Sequence, residues 1–352
     1  MSIQITGCRR RRKLKETSRF EQLRMVSLCL QQDQGGVKVS RITVAGITQI
    51  ETIVNVDEVP VPYVSSSSMP NTIFTEAGGD AFNESLAFTW LGDEVNFLSI
   101  VGRNLDMNVL NPPDRKVTIS TEHILPIAES TATQVILCGK DRKKQVFEDI
   151  KDLRDVAYDM SMVTPLIAAS ELLVVANANF CRPFLDIAAK YKVPVAVNMH
   201  TFETEKEQYN EDFLKAASIL YVDDDCVGDD PFGFMKALAE KYDISVMVMG
   251  QGNKGLILYD RDQNIHVHYD CVKTNEVVNS VGAGNALFAC FLHYYVETKD
   301  SVNAIKNALL FASYKVGFMG TSNGFMTVDE VAQWRRLIWG MDNTPDKIAN
   351  IK

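Results

Sequence analysis

The chain reads Asn279-Ser280-Val281-Gly282-Ala283-Gly284-Asn285 between a short apolar run and an apolar segment of helical length. This pattern predicts a sharp turn followed by a helix over residues 285–296. Glycines let a backbone approach a ligand closely, and the first turn of a helix presents unpaired N–H groups with a partial positive charge. The Gly282-Ala283-Gly284 turn is therefore a candidate phosphate-binding site. An ordinary strand-to-helix turn is the alternative interpretation.

From Glu171 onward, short apolar runs alternate with amphipathic segments of helical length. Apolar strands separated by such helices indicate a parallel sheet that is covered on both faces. A hairpin is expected at residues 256–269 because two strand-like runs flank a polar connection there. The predicted strands cover residues 172–175, 193–197, 219–222 and 245–249, and the predicted helices lie near residues 184–191, 213–217, 232–242, 302–318 and 328–341.

The N-terminal part of the chain has a different pattern. Residues 53–56 and 117–119 alternate apolar and polar side chains, as half-exposed strands do. Residues 133–137 are interpreted as a further strand, either in the main sheet or beside it. The serines at 65–68 predict an exposed loop, and a mobile connection to a lid is the alternative.

The composition is typical of a soluble protein, with 352 residues of which 46% are hydrophobic and 23% charged. This length fits one large α/β domain or two smaller ones. The seven cysteines include no Cys-x-x-Cys pair, which indicates reduced thiols and predicts a cytoplasmic location. No apolar run approaches the ~18 residues of a membrane span, so we expect no membrane partner.

Residues 1–38 form a basic extension, with nine Lys or Arg against three Asp or Glu, whereas the remainder has 27 Lys or Arg against 42 Asp or Glu. The extension is interpreted as a flexible arm, or as an overextended start with Met25 as the true beginning. Binding to nucleic acid or to an anionic surface is the alternative. The acidic remainder makes nucleic acid an unfavoured partner.

Four blocks occur in an order that resembles the PfkB/ribokinase family of carbohydrate kinases, from about Arg41 to about Asn343. The glycine turn is similar to that family's second signature, Asp-Thr-x-Gly-Ala-Gly-Asp. The block Val44-Ala45-Gly46 with Glu51 resembles the family's opening strand and its substrate-contacting acid. The block Gly78-Gly79-Asp80-Ala81-Phe82-Asn83 resembles a Gly-Gly-x-x-x-Asn substrate motif. The block Gly250-Gln251-Gly252-Asn253-Lys254-Gly255 resembles the nucleotide loop Thr-x-Gly-x-x-Gly.

The resemblance implies a fold and an assembly. The fold is the ribokinase-like three-layer α/β/α sandwich with a mostly parallel central sheet and a small β lid. The domain is expected over residues 39–345, with lid segments within about 48–76 and 115–140, followed by a tail at 346–352. Homodimerisation through the lid is implied as well.

The resemblance also implies a site that uses ATP and Mg²⁺. The Gly282-Ala283-Gly284 turn would form an anion hole, with Asn285 at the position of the catalytic base. The remaining assignments are Glu51, Gly78, Gly79 and Asn83 to the substrate, and Gly250, Gly252, Gly255 and Asn279 to the nucleotide. Asp223 and Asp225, with Asp224 between them, could hold magnesium through water because Mg²⁺ favours carboxylate oxygens. An acidic loop after a strand is the alternative interpretation.

Several positions depart from the family pattern. Asn279 and Asn285 stand where the second signature has aspartates, and Gly250 stands where the nucleotide loop has threonine. Cys226 occupies a position associated with glutamate, and we expect it to be a small buried residue because hard Mg²⁺ avoids thiols. His266 and His268 share a strand face, but without a third ligand nearby a solvated hairpin is favoured over a metal pair.

These departures leave two hypotheses for the function. The first is ATP-dependent phosphoryl transfer to a hydroxyl of a sugar or nucleoside, weakened because the amide of Asn285 cannot accept a proton. A general base contributes roughly two to four orders of magnitude, so some activity is expected to remain. The second is a catalytically inactive, kinase-derived protein that binds or regulates through a sugar or nucleotide.

Overall fold

The computed structural model describes residues 39–140 and 143–340. The basic extension at 1–38 and the tail at 346–352 lie outside the described residues, as does the end of the predicted domain beyond residue 340.

Nine strands form one sheet in the order β13-β12-β11-β10-β9-β8-β1-β4-β5. Neighbouring strands are parallel except at the hairpin, where β12 runs antiparallel to β11 and to β13. The mostly parallel sheet and the hairpin are confirmed. The strands are β1 (Arg41–Ala45), β4 (Glu94–Gly102), β5 (Ile124–Ala128), β8 (Leu172–Ala176), β9 (Val195–His200), β10 (Ile219–Asp223), β11 (Val246–Gly250), β12 (Leu256–Asp260) and β13 (Ile265–Tyr269).

Helices cover both faces of this sheet and give the three-layer α/β/α fold. Successive side chains of a strand point to opposite faces, so Val44 and Ala45 of β1 belong to two separate cores. One core contains Val44 with α1, α6 and α7, and the other contains Ala45 with α2, α3, α4 and α5. The helices are α1 (Asp80–Leu91), α2 (Met160–Ala168), α3 (Arg182–Tyr191), α4 (Glu211–Ala216), α5 (Pro231–Tyr242), α6 (Ala283–Thr298), α7 (Ser301–Lys315) and α8 (Val328–Trp339).

Four further strands form a second, smaller sheet in the order β3-β2-β6-β7. They are β2 (Gln49–Val56), β3 (Ile73–Gly78), β6 (Ala132–Gly139) and β7 (Lys144–Asp149). The parallel pair β2–β6 is flanked by antiparallel neighbours. Side chains alternate between the faces, so Glu51, Glu76 and Lys144 lie on one face, while Ile73 and Val135 lie on the other.

Three expectations from the sequence are settled here. Residues 117–119 do not form a strand, because the backbone N–H and C=O of Ile119 are bonded to the side chain of Asn111 instead of to a neighbouring strand. Cys226 is exposed rather than buried, since it lies in the loop after β10. The serines at 65–68 lie in an exposed loop between β2 and β3, as predicted. Within the described residues no helix is long and apolar enough to cross a bilayer.

Candidate active site

Three parallel strands bring polar and small residues to one edge of the main sheet. Strands β9, β10 and β11 end at His200, Asp223 and Gly250. Ligands of open α/β sheets bind beyond the carboxyl ends of the strands. Helix α6 begins near this edge, because Gly284 in its first turn packs against Tyr221 of β10. The predicted anion hole and the strand ends therefore share one region.

A β-bulge redirects the end of β9. The register with β10 shifts so that Met199 is an extra residue, and His200 after it has a left-handed φ of 52°. The Asn198 side chain stabilises this bend, since its Oδ1 accepts a hydrogen bond from the His200 N–H at 3.0 Å. Bulges commonly re-aim side chains beside active sites. Here the bulge directs the Asn198 amide nitrogen toward α6.

The glycine turn has a structural reason for its first glycine. Gly282 has a left-handed φ of 76°, and a Cβ there would lie 2.7 Å from the Thr321 carbonyl oxygen. Among the described residues no side chain caps the helix that follows. The Ala283 N–H donates to the Ser280 carbonyl at 3.4 Å, so the N–H groups of Gly284 and Asn285 are the ones available to an anion. Lys144 of the second sheet reaches this turn, donating from Nζ to the Ser280 carbonyl at 3.4 Å.

Tyr221 explains two more glycines. Its hydroxyl donates to Asp223 Oδ1 at 2.7 Å, and burial raises the pKa of this tyrosine far above its usual range. A Cβ at Gly250 or at Gly284 would lie 2.5 Å from that hydroxyl oxygen. Any side chain at either position would displace Tyr221. The identity of these glycines is therefore set by packing against Tyr221, whether or not a ligand approaches them.

Asn285 is held between two side chains. It is 4% exposed, and its Oδ1 accepts a hydrogen bond from Asn198 Nδ2 at 3.0 Å. Its Nδ2 donates to Asp80 Oδ1 at 2.9 Å. Asn198 Nδ2 also donates to Glu84 Oε1 at 2.7 Å, so a chain of polar groups runs from Asp80 through Asn285 and Asn198 to Glu84. The asparagine at the predicted base position is thus bonded directly to a carboxylate.

The buried carboxyls of this region resist ionisation. Glu84 is fully buried, its Oε2 has no hydrogen-bond partner among the described residues, and burial raises its pKa well above the usual range. Burial also raises the pKa of Glu51, and the Asp80 charge adds to the shift in both residues. His200 lies 3.5 Å from Asp223 Oδ2. Partial desolvation works against its protonation, but the carboxylates of Asp80 and Asp223 raise its pKa.

The residues predicted to contact the substrate differ in their availability. Glu51 is buried, with Oε1 accepting from Gln49 Nε2 at 3.0 Å and from the Gly79 N–H at 2.8 Å, and Oε2 accepting from Thr321 Oγ1 at 2.6 Å. Both oxygens of its carboxyl group are therefore engaged by groups of the protein. In contrast, the buried Oδ1 of Asn83 has no hydrogen-bond partner among the described residues.

Gly78 and Gly79 let the backbone pass close to the Glu51 side chain and to the Ile47 carbonyl. A Cβ at Gly78 would lie 2.2 Å from Glu51 Oε2, and one at Gly79 would lie 2.4 Å from the Ile47 carbonyl oxygen. Gly79 also has a positive φ of 104° as it leads into α1. The tight turn therefore brings the first residue of that helix, Asp80, to the edge of the sheet beside Asn285.

Asn279 anchors the other end of the glycine turn. Its Oδ1 accepts from the Val281 N–H at 3.0 Å, and its Nδ2 donates to the Gly320 carbonyl at 3.2 Å. The ammonium of Lys315 donates to the same carbonyl oxygen. Lys315 is fully buried, and burial lowers its pKa to about 8 against the opposing effect of the Glu76 carboxylate. The Asn279 side chain is thus engaged within the protein, and its backbone N–H donates to the Val316 carbonyl at 3.0 Å.

The predicted nucleotide loop follows β11. Gly252 has a φ of 57° and open space around it, whereas a Cβ at Gly255 would lie 2.0 Å from the Tyr269 carbonyl oxygen. Gly255 is thus needed by the hairpin. His268 in this hairpin lies 2.9 Å from the Lys254 carbonyl through Nε2, and no group of three metal-binding side chains occurs in the described part of the chain.

Comparison with known proteins identifies this arrangement. The model of the pfkB family of carbohydrate kinases matches residues 228–327, which include the nucleotide loop and the glycine turn. Over these residues the chain is similar to that family.

Individual relatives span nearly the same length. The chain is 25% identical to a deoxyribokinase of Salmonella typhi over 283 residues, covering 74% of this chain and 88% of that protein. It is 24% identical to a nucleoside kinase of Methanocaldococcus jannaschii over 318 residues, covering 85% and 97%. The structure of Arabidopsis thaliana ribokinase complexed with ribose and ATP superposes with a TM-score of 0.67 at 14% identity, covering 84% of this chain and 98% of that one, which shows the shared fold.

A magnesium ion in this site would find few direct ligands. Asp223 Oδ1 accepts from Tyr221, while Asp224 Oδ2 accepts from Gln251 Nε2 at 3.3 Å. Asp225 is exposed. Mg²⁺ usually keeps several waters and binds through one or two carboxylates together with substrate phosphates. The residues present fit such a nucleotide-bound ion, and they do not form a cage of their own.

Four residues of the site were not predicted from the sequence. Asn198 interrupts an apolar strand with a polar residue near its end, which is a usable signal. Glu84 is the only charged residue of helix α1 besides Asp80, which is another such signal. Tyr221 and Lys315 carried no signal, because aromatic residues in strands and lysines in helices are ordinary.

Proposed function

We propose that this protein is a PfkB-family kinase and transfers the γ-phosphoryl group of ATP to a hydroxyl group of a sugar or a nucleoside. The observation that carries the proposal is the uncapped first turn of α6, which stands beside the Asp80–Asn285 pair at the carboxyl edge of the sheet. Anion-binding N–H groups and a carboxylate at one place are what phosphoryl transfer to a hydroxyl requires.

The chain's own residues supply binding and orientation. The N–H groups of Gly284 and Asn285 would stabilise charge on the transferred phosphoryl group. The buried Oδ1 of Asn83, which no group in the described part of the chain contacts by a hydrogen bond, would accept one from a substrate hydroxyl, since an unmade bond at a buried acceptor is costly. Asp223 and Asp225 would hold magnesium through water, and that ion would neutralise phosphate charge when bound.

The nucleotide and the acceptor would occupy different sides of the glycine turn. ATP would lie toward the loop from Gly250 to Gly255, and the acceptor toward α1 and the second sheet, whose face with Glu51 and Lys144 is directed to the site. The Salmonella relative is named a deoxyribokinase and the Methanocaldococcus relative a nucleoside kinase. These names support pentoses and nucleosides as the first acceptors to test.

The test is an assay of ADP release with magnesium and ATP against a panel of pentoses, hexoses and nucleosides, with calorimetric titration of the nucleotide alongside. We expect acceptor-dependent ADP release and a phosphorylated product detectable by mass spectrometry. Binding of ATP or of an acceptor without any product would instead support the inactive, kinase-derived binding protein. Absence of nucleotide binding would overturn phosphoryl transfer from ATP, and absence of binding to nucleotide and to every acceptor would overturn both hypotheses.

The second sheet also supports a homodimer as a proposal. Its face opposite the site exposes Ile73, Val135 and Phe147, at 58%, 38% and 53% exposure. These three side chains, on β3, β6 and β7, point to the same face of the sheet. An exposed apolar face of this kind marks an interaction surface. Sedimentation of the wild type and of Val135→Lys would test it, with a loss of dimer expected in the variant.

A further inference from the structure

Asp80 and Asn285 form a hydrogen-bonded pair of a carboxylate and an amide. The resemblance places a carboxylate base at position 285, where this chain has an amide, and that amide donates to a carboxylate 2.9 Å away. Asp80 is half-buried, whereas Asn285 is buried. Only Asp80 Oδ1 accepts from Asn285, and Oδ2 accepts no hydrogen bond from the described residues.

We propose that Asp80 is the catalytic base of this protein, and that Asn285 orients it. The inference rests on the proposed phosphoryl transfer and assigns the proton acceptor for that reaction. Asn285 can act only in this way, because its Oδ1 already accepts from Asn198 and its Nδ2 points at Asp80. An amide fixed between these two partners holds the carboxylate beside the first turn of α6.

Other carboxylates near the site are less suited to this role. Glu51 is buried and accepts three hydrogen bonds from protein groups. Glu84 is fully buried behind Asn198. Asp223 Oδ1 is bonded to Tyr221 and lies against Gly250, on the side assigned to the nucleotide. Asp80 alone of these four combines a half-exposed side chain with direct contact to residue 285.

The step can be written with its atoms balanced. The acceptor hydroxyl gives its proton to Asp80 Oδ2 as its oxygen forms a bond to the γ-phosphorus of ATP. The bond between that phosphorus and the β–γ bridging oxygen breaks, and its electron pair leaves with ADP. Asp80 then releases the proton to water, so the products are the phosphate ester, ADP and one proton.

The pair offers an exchange experiment in which composition is conserved. In Asp80→Asn/Asn285→Asp the carboxylate moves to position 285, and the amide now at position 80 can donate to it, in reverse of the wild-type hydrogen bond. Asn198 Nδ2 can donate to either an amide or a carboxylate oxygen at position 285, so both hydrogen bonds survive. In Asn285→Asp alone, two carboxylates face each other at hydrogen-bond distance and must share a proton.

The experiment compares kcat at neutral pH for the wild type, Asp80→Asn, Asn285→Asp and the exchanged double variant, on the best acceptor of the panel. The exposed Asp186→Asn on α3 is the matched control, and thermal unfolding of every variant is recorded. We expect Asp80→Asn to lose about 10²- to 10⁴-fold in kcat, as removal of a general base does. We expect the double variant to recover at least about tenfold of this loss, and Asn285→Asp to gain no more than a few-fold.

Two outcomes would overturn the assignment. Asp80→Asn with a kcat within about threefold of the wild type would show that no base acts at position 80. A gain of about 100-fold in Asn285→Asp would show that the wild type lacks a base. If the wild type transfers phosphate to no acceptor, the proposed function is overturned and the base assignment falls with it. If the wild type is active and Asp80→Asn does not reduce kcat, only the base assignment is overturned.

Discussion

Asn279 and Asn285 stand at the two ends of the same glycine turn, and both replace aspartates expected from the PfkB signature. Asn279 is bonded to backbone only, accepting from the Val281 N–H and donating to the Gly320 carbonyl. Asn285 is bonded to side chains only, accepting from Asn198 and donating to Asp80. Both are buried to the same extent, at 4% exposure.

The difference between the two ends lies in what each amide holds in place. At the Asn279 end, the amide fixes the turn against the loop at Gly320, beside the buried ammonium of Lys315. At the Asn285 end, the amide fixes a carboxylate beside the first turn of α6. The same change of residue type therefore has a structural consequence at one end and, on the proposal above, a chemical one at the other.

The largest expected effect on kcat comes from replacing each asparagine with alanine in a separate variant and comparing the two. Asn285→Ala releases Asp80, and a displaced catalytic group can cost about 10²-fold in kcat. Asn279→Ala leaves Asp80 in place, so its kcat should change far less. Each variant loses two buried hydrogen bonds, and we expect each to lower the free energy of unfolding by about 1–3 kcal/mol.

Denaturant unfolding and single-turnover kinetics on the two variants provide this measurement, and each variant is the control for the other. Equal losses of kcat would contradict the division between a structural and a chemical end. Equal losses of stability with unequal losses of kcat would support it.

A smaller effect is expected at Gly284, and it tests whether packing against Tyr221 is the reason that this position requires glycine. In Gly284→Ala the new Cβ would lie 2.5 Å from the Tyr221 hydroxyl oxygen. Overpacking of this kind costs about 1–3 kcal/mol in the free energy of unfolding. Tyr221→Phe removes the oxygen, so the same substitution should cost less in that background, with a coupling energy of about 0.5 kcal/mol or more. Identical costs in the two backgrounds would mean that Tyr221 does not explain Gly284.

Sequence reasoning placed the main sheet well because each strand after residue 171 is an uninterrupted apolar run between amphipathic helices. The run at 172–175 and the helix at 232–242 were found within a residue or two of their observed bounds. The second sheet was harder. Strand β7 is exposed along its whole length and carries no apolar pattern, and the alternation at 117–119 came from a loop bonded to Asn111.

The motifs that form the site could be predicted from the sequence, but the hydrogen bonds between their side chains could not. The glycine turn and the Gly-Gly-x-x-x-Asn block both occur in the sequence, about 200 residues apart, but nothing in either shows that Asp80 meets Asn285. The roles of Asn83 and Glu51 could not be separated either, because burial and hydrogen-bond partners decide which oxygen is available. Such pairings depend on how α1 and α6 approach the sheet edge.

The smallest expected effect concerns Lys315, at the Asn279 end. Its pKa in the folded chain is about 8, below the ordinary value of 10.5. Between these values the unfolded chain binds more protons than the folded one, so the contribution of Lys315 to stability rises as the pH increases. From about pH 8 to about pH 9 the wild type should gain about 1 kcal/mol in the free energy of unfolding relative to Lys315→Met.

Urea unfolding at a series of pH values measures this difference, and subtraction of the variant removes the contribution of most other groups. Lys236→Met on α5 is the control, because that exposed ammonium stays in water in both states. The plot of unfolding free energy against pH for Lys236→Met should run parallel to that of the wild type. If the plot for Lys315→Met does so as well, the Lys315 ammonium is not buried. The Gly320 carbonyl would then be held by Asn279 alone, and the loss of stability in Asn279→Ala should lie at the upper end of its expected range.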